Sequence, residues 1–213
     1  LSSLAIGESK ITGLLDSSDV NCTINSMISL GSCIDFNSSD ECIINGIGIG
    51  SLRQSETPLD FGNSGTAARL ILGLVSTHPI ETRFIGDESL SQRPMKRVTE
   101  PLIDFGANFN LRNSEFLPIE VKGTEYPIPI THEMKVASAQ VKSAIMFAGL
   151  NTPGITTIIE KEKTRDHTET LFKYYGYEIN IEEKDGKNFI SFEGQKVLNP
   201  VKIKVPGDPS SAA

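Results

Sequence analysis

Apolar residues along this chain switch between two spacings. In AIGESKITGLL (5–15), VSTHPIETRFI (75–85) and LNTPGITTIIE (150–160) a polar turn is followed by β-branched residues alternating with polar ones. That period of two predicts a half-buried strand in each. Ile11, Ile80 and Ile155 are read as the strand starts, 69 and 75 residues apart. Each strand is followed by an amphipathic segment, a glycine and another strand: DVNCTINSMISLGSCIDF, PMKRVTEPLIDFGANFNL and TRDHTETLFKYYGYEINI. The glycines, Gly31, Gly106 and Gly176, lie 75 and 70 residues apart. A glycine just past a helix takes the left-handed conformation that other residues resist. In the middle copy Met95, Val98, Leu102 and Phe105 form one apolar stripe, and Lys96, Arg97, Glu100 and Asp104 fall off it. Pro101 interrupts that pattern and predicts a kink or a late helix start. CIINGIGIG and LPIEVKG supply a further strand before the next unit.

Two more segments, TAARLILGLV and VKSAIMFAGL, are apolar over most of their faces and rich in small residues. Helices of that kind belong in an interior, where small side chains let backbones approach closely. The whole pattern predicts an α/β (α+β) fold of three βαββαβ-like units with pseudo-threefold symmetry, the apolar helices buried at the centre. Residues 1–213 form a single domain in this reading, its first unit truncated at the N-terminus. Leu1 falls about halfway along the central helix of that unit, and both chain ends read as cuts.

Composition narrows the function classes. A net charge of −7 over 213 residues argues against a broad nucleic-acid footprint. No apolar run approaches the roughly 20 residues of a membrane helix, and no signal peptide is visible. Cys22, Cys33 and Cys42 fit neither a metal spacing nor a disulfide framework, and are read as reduced core or near-core thiols of a cytoplasmic protein. His78, His132 and His167 form no metal-binding pattern.

The chemistry is sought at the openings of the apolar helices. GNSGT (Gly62 to Thr66) and VASAQ (Val136 to Gln140) precede two of them, and PGDPSSAA (Pro206 to Ala213) begins a fourth such opening. A helix N-terminus carries unpaired N–H groups and about half a positive charge, so it holds a phosphate or carboxylate without needing net positive charge. Threefold symmetry brings these openings to one end of the domain. Arg69, Arg93 and Arg165 then complete an anion site, the latter two in corresponding loops of units two and three. Structural readings stand beside these: Asn63 and Ser138 as helix caps, Gly65 as a turn residue, Arg69 as an ion-pair support, Gln140 as a first-turn residue, Arg93 and Arg165 as solvated charges. His167 and Lys142 are expected to be exposed, and NGIGIG (45–50) to be a strand and turn. Spacing alone therefore supports a site for a small molecule with two or more anionic groups.

FGNSGTAAR, SQRPMKRVTEPLIDFGA, ASAQVKSAIMFAGLNTPG, EKTRDHTE and PGDPSSAA together resemble the 5-enolpyruvylshikimate-3-phosphate synthase (3-phosphoshikimate 1-carboxyvinyltransferase) family, in its class II subgroup. The motifs run in the family's order over nearly the whole chain, which covers only about half of such an enzyme: the domain from its N-terminal half. The resemblance implies transfer of the enolpyruvyl group of phosphoenolpyruvate to the 5-hydroxyl of shikimate 3-phosphate, with release of phosphate, in the shikimate pathway to aromatic amino acids. It implies addition and then elimination, with no metal or organic cofactor, in a cytoplasmic monomer.

Matched by motif, Ser138, Ala139, Gln140 and Arg165 fall at shikimate 3-phosphate-binding positions. Gly65, Arg93 and Gln140 fall at phosphoenolpyruvate-binding positions, where glyphosate competes, and Asn63, Thr66 and Arg69 support the loop. Ala139 stands where another subgroup has serine. The family's Lys-Ser-x-Ser-x-Arg loop and its acid–base residues are absent, so no catalytic residue is assigned and the chain alone is expected to be inactive without the second domain. The related transferase acting on UDP-N-acetylglucosamine is the nearest alternative. Many of its members carry a cysteine before the Arg-Pro pair, whereas GDESLSQRP has Asp87 near that place. A non-catalytic domain of the same fold is the other.

Overall fold

A computed structural model of the chain describes residues 1–37 and 41–207. The period-two segments close into strands and the period-3.6 segments into helices, in the order β1 (Ile6–Thr12), α1 (Ser18–Ser29), β2 (Cys33–Phe36), β3 (Cys42–Ile47), β4 (Leu59–Asp60), α2 (Gly65–Ser76), β5 (Glu81–Ile85), α3 (Lys96–Ile103), β6 (Asn108–Arg112), β7 (Phe116–Lys122), β8 (Thr131–Glu133), α4 (Ala139–Leu150), β9 (Ile155–Glu160), α5 (His167–Tyr174), β10 (Asn180–Lys184), β11 (Lys187–Glu193) and β12 (Lys202–Lys204). Three four-stranded sheets result, ordered β12-β1-β3-β2, β4-β5-β7-β6 and β8-β9-β11-β10. In each, a short edge strand runs parallel to its neighbour and the remaining pairs are antiparallel.

Units two and three read strand, central helix, strand, amphipathic helix, strand, strand. Helix, strand, amphipathic helix, strand and a further strand follow one another as the sequence pattern predicts; what that pattern lacks is the short parallel edge strand before each central helix. These edge strands are β4, β8 and β12. They are two or three residues long, too short to leave a periodic signal, and each is recognised only by the neighbour it pairs with. The first sheet takes its edge strand from the far end of the chain: Lys202 to Lys204 pair with Lys10 to Thr12.

Two registers differ from expectation. Ile80 precedes β5 and Ile155 opens β9, but Ile11 sits near the end of β1, which opens at Ile6. Ile6 is therefore the counterpart of Glu81 and Ile155, 75 and then 74 residues apart. β1 alternates hardly at all, since Ile6 and Ile11 lie five residues apart and only Ser9 is buried, so the pattern cannot mark where the strand starts. By the same offset of 75, Leu1 corresponds to Ser76, the last residue of α2, and not to the middle of a central helix.

The core sits between the central helices and the inner faces of the sheets. In α2 ten of twelve residues are buried, and in α4 nine of twelve. Their contact is made backbone to backbone: a Cβ on Gly73 would lie 2.2 Å from the Ala144 carbonyl oxygen. On the amphipathic helix α3 the stripe Met95, Val98, Leu102 and Phe105 is fully buried, while its charged residues face solvent. This helix begins at Lys96 and keeps Pro101 in its second turn. The glycines after α1, α3 and α5, Gly31, Gly106 and Gly176, all have positive φ. Among the thiols Cys42 is buried and Cys22 half-buried, but Cys33 is exposed, because β2 is an edge strand with little packed over it. Among the described residues no helix is long and apolar enough to cross a membrane.

Gly73→Ala forces the methyl into the Ala144 carbonyl, and the helices must part to admit it. We expect a loss of about 1–3 kcal/mol, typical of overpacking, read from urea denaturation, with the neighbouring Leu74→Ala acting instead through a cavity. Unchanged stability for Gly73→Ala would mean that the helices are not in backbone contact.

Candidate functional site: the paired helix openings

Both central helices begin in the same local way. Ser64 and Ser138 are the capping residues, each with its hydroxyl accepting from the amide three residues on, Ala67 and Val141 respectively, at 3.4 Å. The cap of α2 is thus Ser64, and Asn63 is free for another task. Because α2 and α4 pack side by side and run the same way, their openings are adjacent. Gln140 Nε2 donates to Thr66 Oγ1 at 3.0 Å, joining the first turn of α4 to the first turn of α2. PGDPSSAA, read as a further opening, lies outside the described residues beyond Gly207.

Arg69 holds these two turns together from below. Its Nη1 donates to the Gly65 carbonyl at 3.3 Å and to Gln140 Oε1 at 3.1 Å, and its Nη2 donates to the Pro94 carbonyl at 3.3 Å. The side chain is buried, and Nε has no partner. Burial, reinforced by Arg97 and Arg93 nearby, pushes the guanidinium pKa down to about 10. It stays charged at neutral pH, in a surrounding that is short of negative charge.

Arg93 approaches from the loop between β5 and α3. Its Nη1 donates to the Asn63 carbonyl at 3.4 Å, and its Nη2 to Asn63 Oδ1 at 2.5 Å and to Ser89 Oγ at 3.3 Å. Asn63 Nδ2 in turn donates to Asp87 Oδ2 at 3.0 Å. The amide of Leu90 donates to Asp87 Oδ1 at 2.7 Å, which starts the short helical turn carrying the Arg93 loop. These bonds hold the Asp87 carboxyl below the usual carboxylate range: the Leu90 amide first, then the Asn63 side chain. Arg112 ties the same turn to β7, donating from Nε to the Leu117 carbonyl at 2.6 Å and from Nη2 to the Ser91 carbonyl at 2.5 Å.

Gly65 is where the two arginines converge. A Cβ there would lie 2.9 Å from Arg69 Nη1 and 3.4 Å from Arg93 Nη1. Among the described residues no arginine forms a salt bridge; every such bridge uses lysine. An acidic protein therefore gathers two helix openings and two unpaired guanidiniums at one spot. That is the electrostatics of an anion site with its counter-charge still to come.

Ser138, Ala139 and Gln140 are half-buried at the α4 opening. Arg165 lies between β9 and α5, as Arg93 lies between β5 and α3, but it is exposed and makes no hydrogen bond or ion pair among the described residues. The structure joins Asn63, Gly65, Thr66, Arg69, Arg93 and Gln140 in one network and leaves Arg165 outside it. One cleft runs along the outer face of the second sheet beside Glu81, Asn108 and Glu120, away from the arginines, and another, between α3 and β8, reaches Ser138 and Val141 at the α4 opening. Arg69 and Arg93 line neither of these clefts, and their cluster stands like one wall of a cleft. His167 is exposed as expected, but Lys142 is buried, the reverse of expectation, because it faces two glutamates across the α4–α5 contact.

The model of the EPSP synthase (3-phosphoshikimate 1-carboxyvinyltransferase) family matches residues 1–213. The chain belongs to the EPSP synthase family. It is 51% identical over 213 residues to the 3-phosphoshikimate 1-carboxyvinyltransferase of Zymomonas mobilis, covering 100% of this chain and 47% of that protein. It is 49% identical over 211 residues to the enzyme of the same name from Parvibaculum lavamentivorans, covering 99% of this chain and 47% of that one. A solved structure of EPSP synthase from Acinetobacter baumannii superposes with a TM-score of 0.89 at 35% identity, over 99% of this chain and 47% of the other. This chain thus spans about half the length of these relatives, and its three mixed sheets and buried central helices are the enolpyruvyl transferase-like fold.

Sequence reasoning missed Ser64, Asp87 and Arg112 as organisers of the site. Ser64 was legible as a cap in its own right. Asp87 and Arg112 act on loops distant in sequence, and no periodicity marks them.

Arg69→Met removes the donor for Gln140 Oε1 and the Pro94 carbonyl together. We expect a loss of about 1–3 kcal/mol from the groups left unpartnered, measured by urea denaturation. A change under about 0.5 kcal/mol, the range of an ordinary surface substitution, would show that Arg69 does not hold the two openings together.

Proposed function

We propose that this chain is one wall of the substrate cleft of a 3-phosphoshikimate 1-carboxyvinyltransferase. In this reading the complete enzyme moves the enolpyruvyl group of phosphoenolpyruvate to the 5-hydroxyl of shikimate 3-phosphate and releases phosphate. The observation that carries the proposal is the network at the paired openings of α2 and α4, in which Gln140 bridges Thr66 and Arg69 within a chain of that family.

Both substrates bear a phosphate and a carboxylate, and the roles are those that the resemblance to the family's motifs implies. Arg93, beside the Gly65 gap, holds an anionic group of phosphoenolpyruvate, and the absence of a Cβ at Gly65 gives that group room. Ser138 and Gln140, with the amides of the α4 opening, take the phosphate of shikimate 3-phosphate, and Arg165 closes on it from the neighbouring loop. Gln140 stands between the two ligands and orients both. Asn63, Asp87 and Arg69 hold the arginines in place, so that neutralisation of the substrates requires little rearrangement. Proton transfer and stabilisation of the developing tetrahedral centre belong to residues on the facing wall, and closure of that wall excludes water.

The test is reconstitution. Mixed with the complementary half of the enzyme, this chain is expected to support phosphate release from phosphoenolpyruvate that depends on shikimate 3-phosphate, whereas either half alone shows none. In titration calorimetry the chain alone binds shikimate 3-phosphate weakly, and the affinity falls as salt rises. Turnover by the chain alone, or a reconstituted pair that responds to UDP-N-acetylglucosamine in place of shikimate 3-phosphate, would overturn the assignment. In the complete enzyme Arg93→Ala is expected to raise the KM for phosphoenolpyruvate about tenfold or more, the scale of a lost charged hydrogen bond.

A further inference from the structure

Among the described residues the most buried charges lie beside the candidate site, not in it. Lys142 is 1% exposed in its side chain, and its Nζ lies 3.2 Å from Glu160 Oε1 and 2.5 Å from Glu169 Oε1, whose side chains are 1% and 4% exposed. The contacts are ion pairs by distance, and neither has the alignment of a hydrogen bond. Two carboxylates thus face one ammonium out of reach of water, and Glu169 Oε2 has no partner at all. Taking such groups out of water is costly, and a buried ion pair is weak evidence of stabilisation.

The fold does not require the cluster. Lys142 stands four residues past the cap Ser138, and four residues past the cap Ser64 the second unit has Ala68, which is fully buried. An alanine fills that position in one copy of the unit, so packing alone does not explain a lysine in the other.

The cluster fastens one particular segment. Glu160 ends β9 and Glu169 lies in the first turn of α5. Between them runs 161–166, which carries Arg165. Glu160 Oε1 also accepts from the Thr164 amide at 3.3 Å and from Thr164 Oγ1 at 2.6 Å, and Asn188 Nδ2 of β11 donates to Glu160 Oε2 at 3.3 Å. On the other side, Thr168 Oγ1 and Ser143 Oγ are 2.6 Å apart, a second tie between α5 and α4. Arg165 is therefore held at the residue before it by Glu160, and after it by the docking of the first turn of α5. Both anchors meet Lys142, one helical turn from Ser138.

We propose that Lys142 is a positioning residue: with Glu160 and Glu169 it locks the 161–166 segment to the α4 opening, so that the exposed Arg165 is presented to the same anion as Ser138 and Gln140. The inference rests on the reading that Arg165 and the α4 opening bind shikimate 3-phosphate. It adds a coupling that the direct contacts do not contain, since Lys142 touches neither Arg165 nor the open face of the site.

A double-mutant cycle in the complete two-domain enzyme separates the two. Arg165→Ala is expected to raise the KM for shikimate 3-phosphate about tenfold or more. Lys142→Met is expected to raise the same constant about tenfold while the KM for phosphoenolpyruvate stays within about twofold, and the double variant is expected to be no worse than Arg165→Ala alone. Multiplying effects in the double variant, or equal rises in both constants for Lys142→Met, overturn the positioning role and leave the binding role of Arg165 standing. No effect of Arg165→Ala overturns the binding role and the positioning proposal with it. Should Lys142→Met fail to fold because two carboxylates are stranded, Lys142→Met/Glu160→Gln/Glu169→Gln takes its place in the cycle. It removes the charges and the tie together, and the same outcomes decide.

Discussion

The structure depends on two helices touching through their backbones. Gly73 of α2 leaves room for the Ala144 carbonyl of α4, and the small residues around them let the axes close. Two parallel helices held that tightly cannot separate their ends. The amide-rich openings at Ser64 and Ser138 are consequently adjacent, and Gln140 can reach Thr66 while also accepting from Arg69. A bulkier interface would still give two buried helices and three sheets, but it would spread the openings beyond the reach of one glutamine.

From that closeness follows the charge distribution. Helix openings contribute partial positive charge that needs no side chain. Arg69 and Arg93 are added without salt-bridge partners, while the lysines of the surface pair with the abundant glutamates. The protein can thus be acidic overall and still offer a local seat for an anion. The seat is open on one side, in keeping with a chain that spans about half the length of its relatives. A facing wall that closed over it would strengthen each of these interactions by removing water.

The repeated unit is a scaffold that is used unequally. The second unit places Ala68 where the third places Lys142, and it gives its loop to Arg93 through a relay of Asp87 and Asn63. The third unit instead ties its loop with buried charges. The same geometric position before an amphipathic helix is thus held rigid by two unrelated sets of interactions. Approximate symmetry sets where a loop can be; local chemistry sets how firmly it is held.

The alternation of Ile, Thr and polar residues, the stripe Met95, Val98, Leu102 and Phe105, and the glycines at 31, 106 and 176 were enough to read the repeated units and the fold, since burial and φ > 0 constrain local residue choice directly. The apolar character of TAARLILGLV and VKSAIMFAGL placed those helices inside, and the motifs at their openings pointed to anions. Beyond local choice the chain was silent. The edge strands β4, β8 and β12 exist only through their pairing partners. Lys142 looked like a surface lysine because nothing nearby in sequence shows that Glu160 and Glu169 will bury it. Asp87 and Arg112 likewise gain their tasks from loops that only folding brings near. Periodicity records which face of an element is dry, a one-body property of each segment. Which charges meet is a pairwise property, and tertiary packing alone decides it.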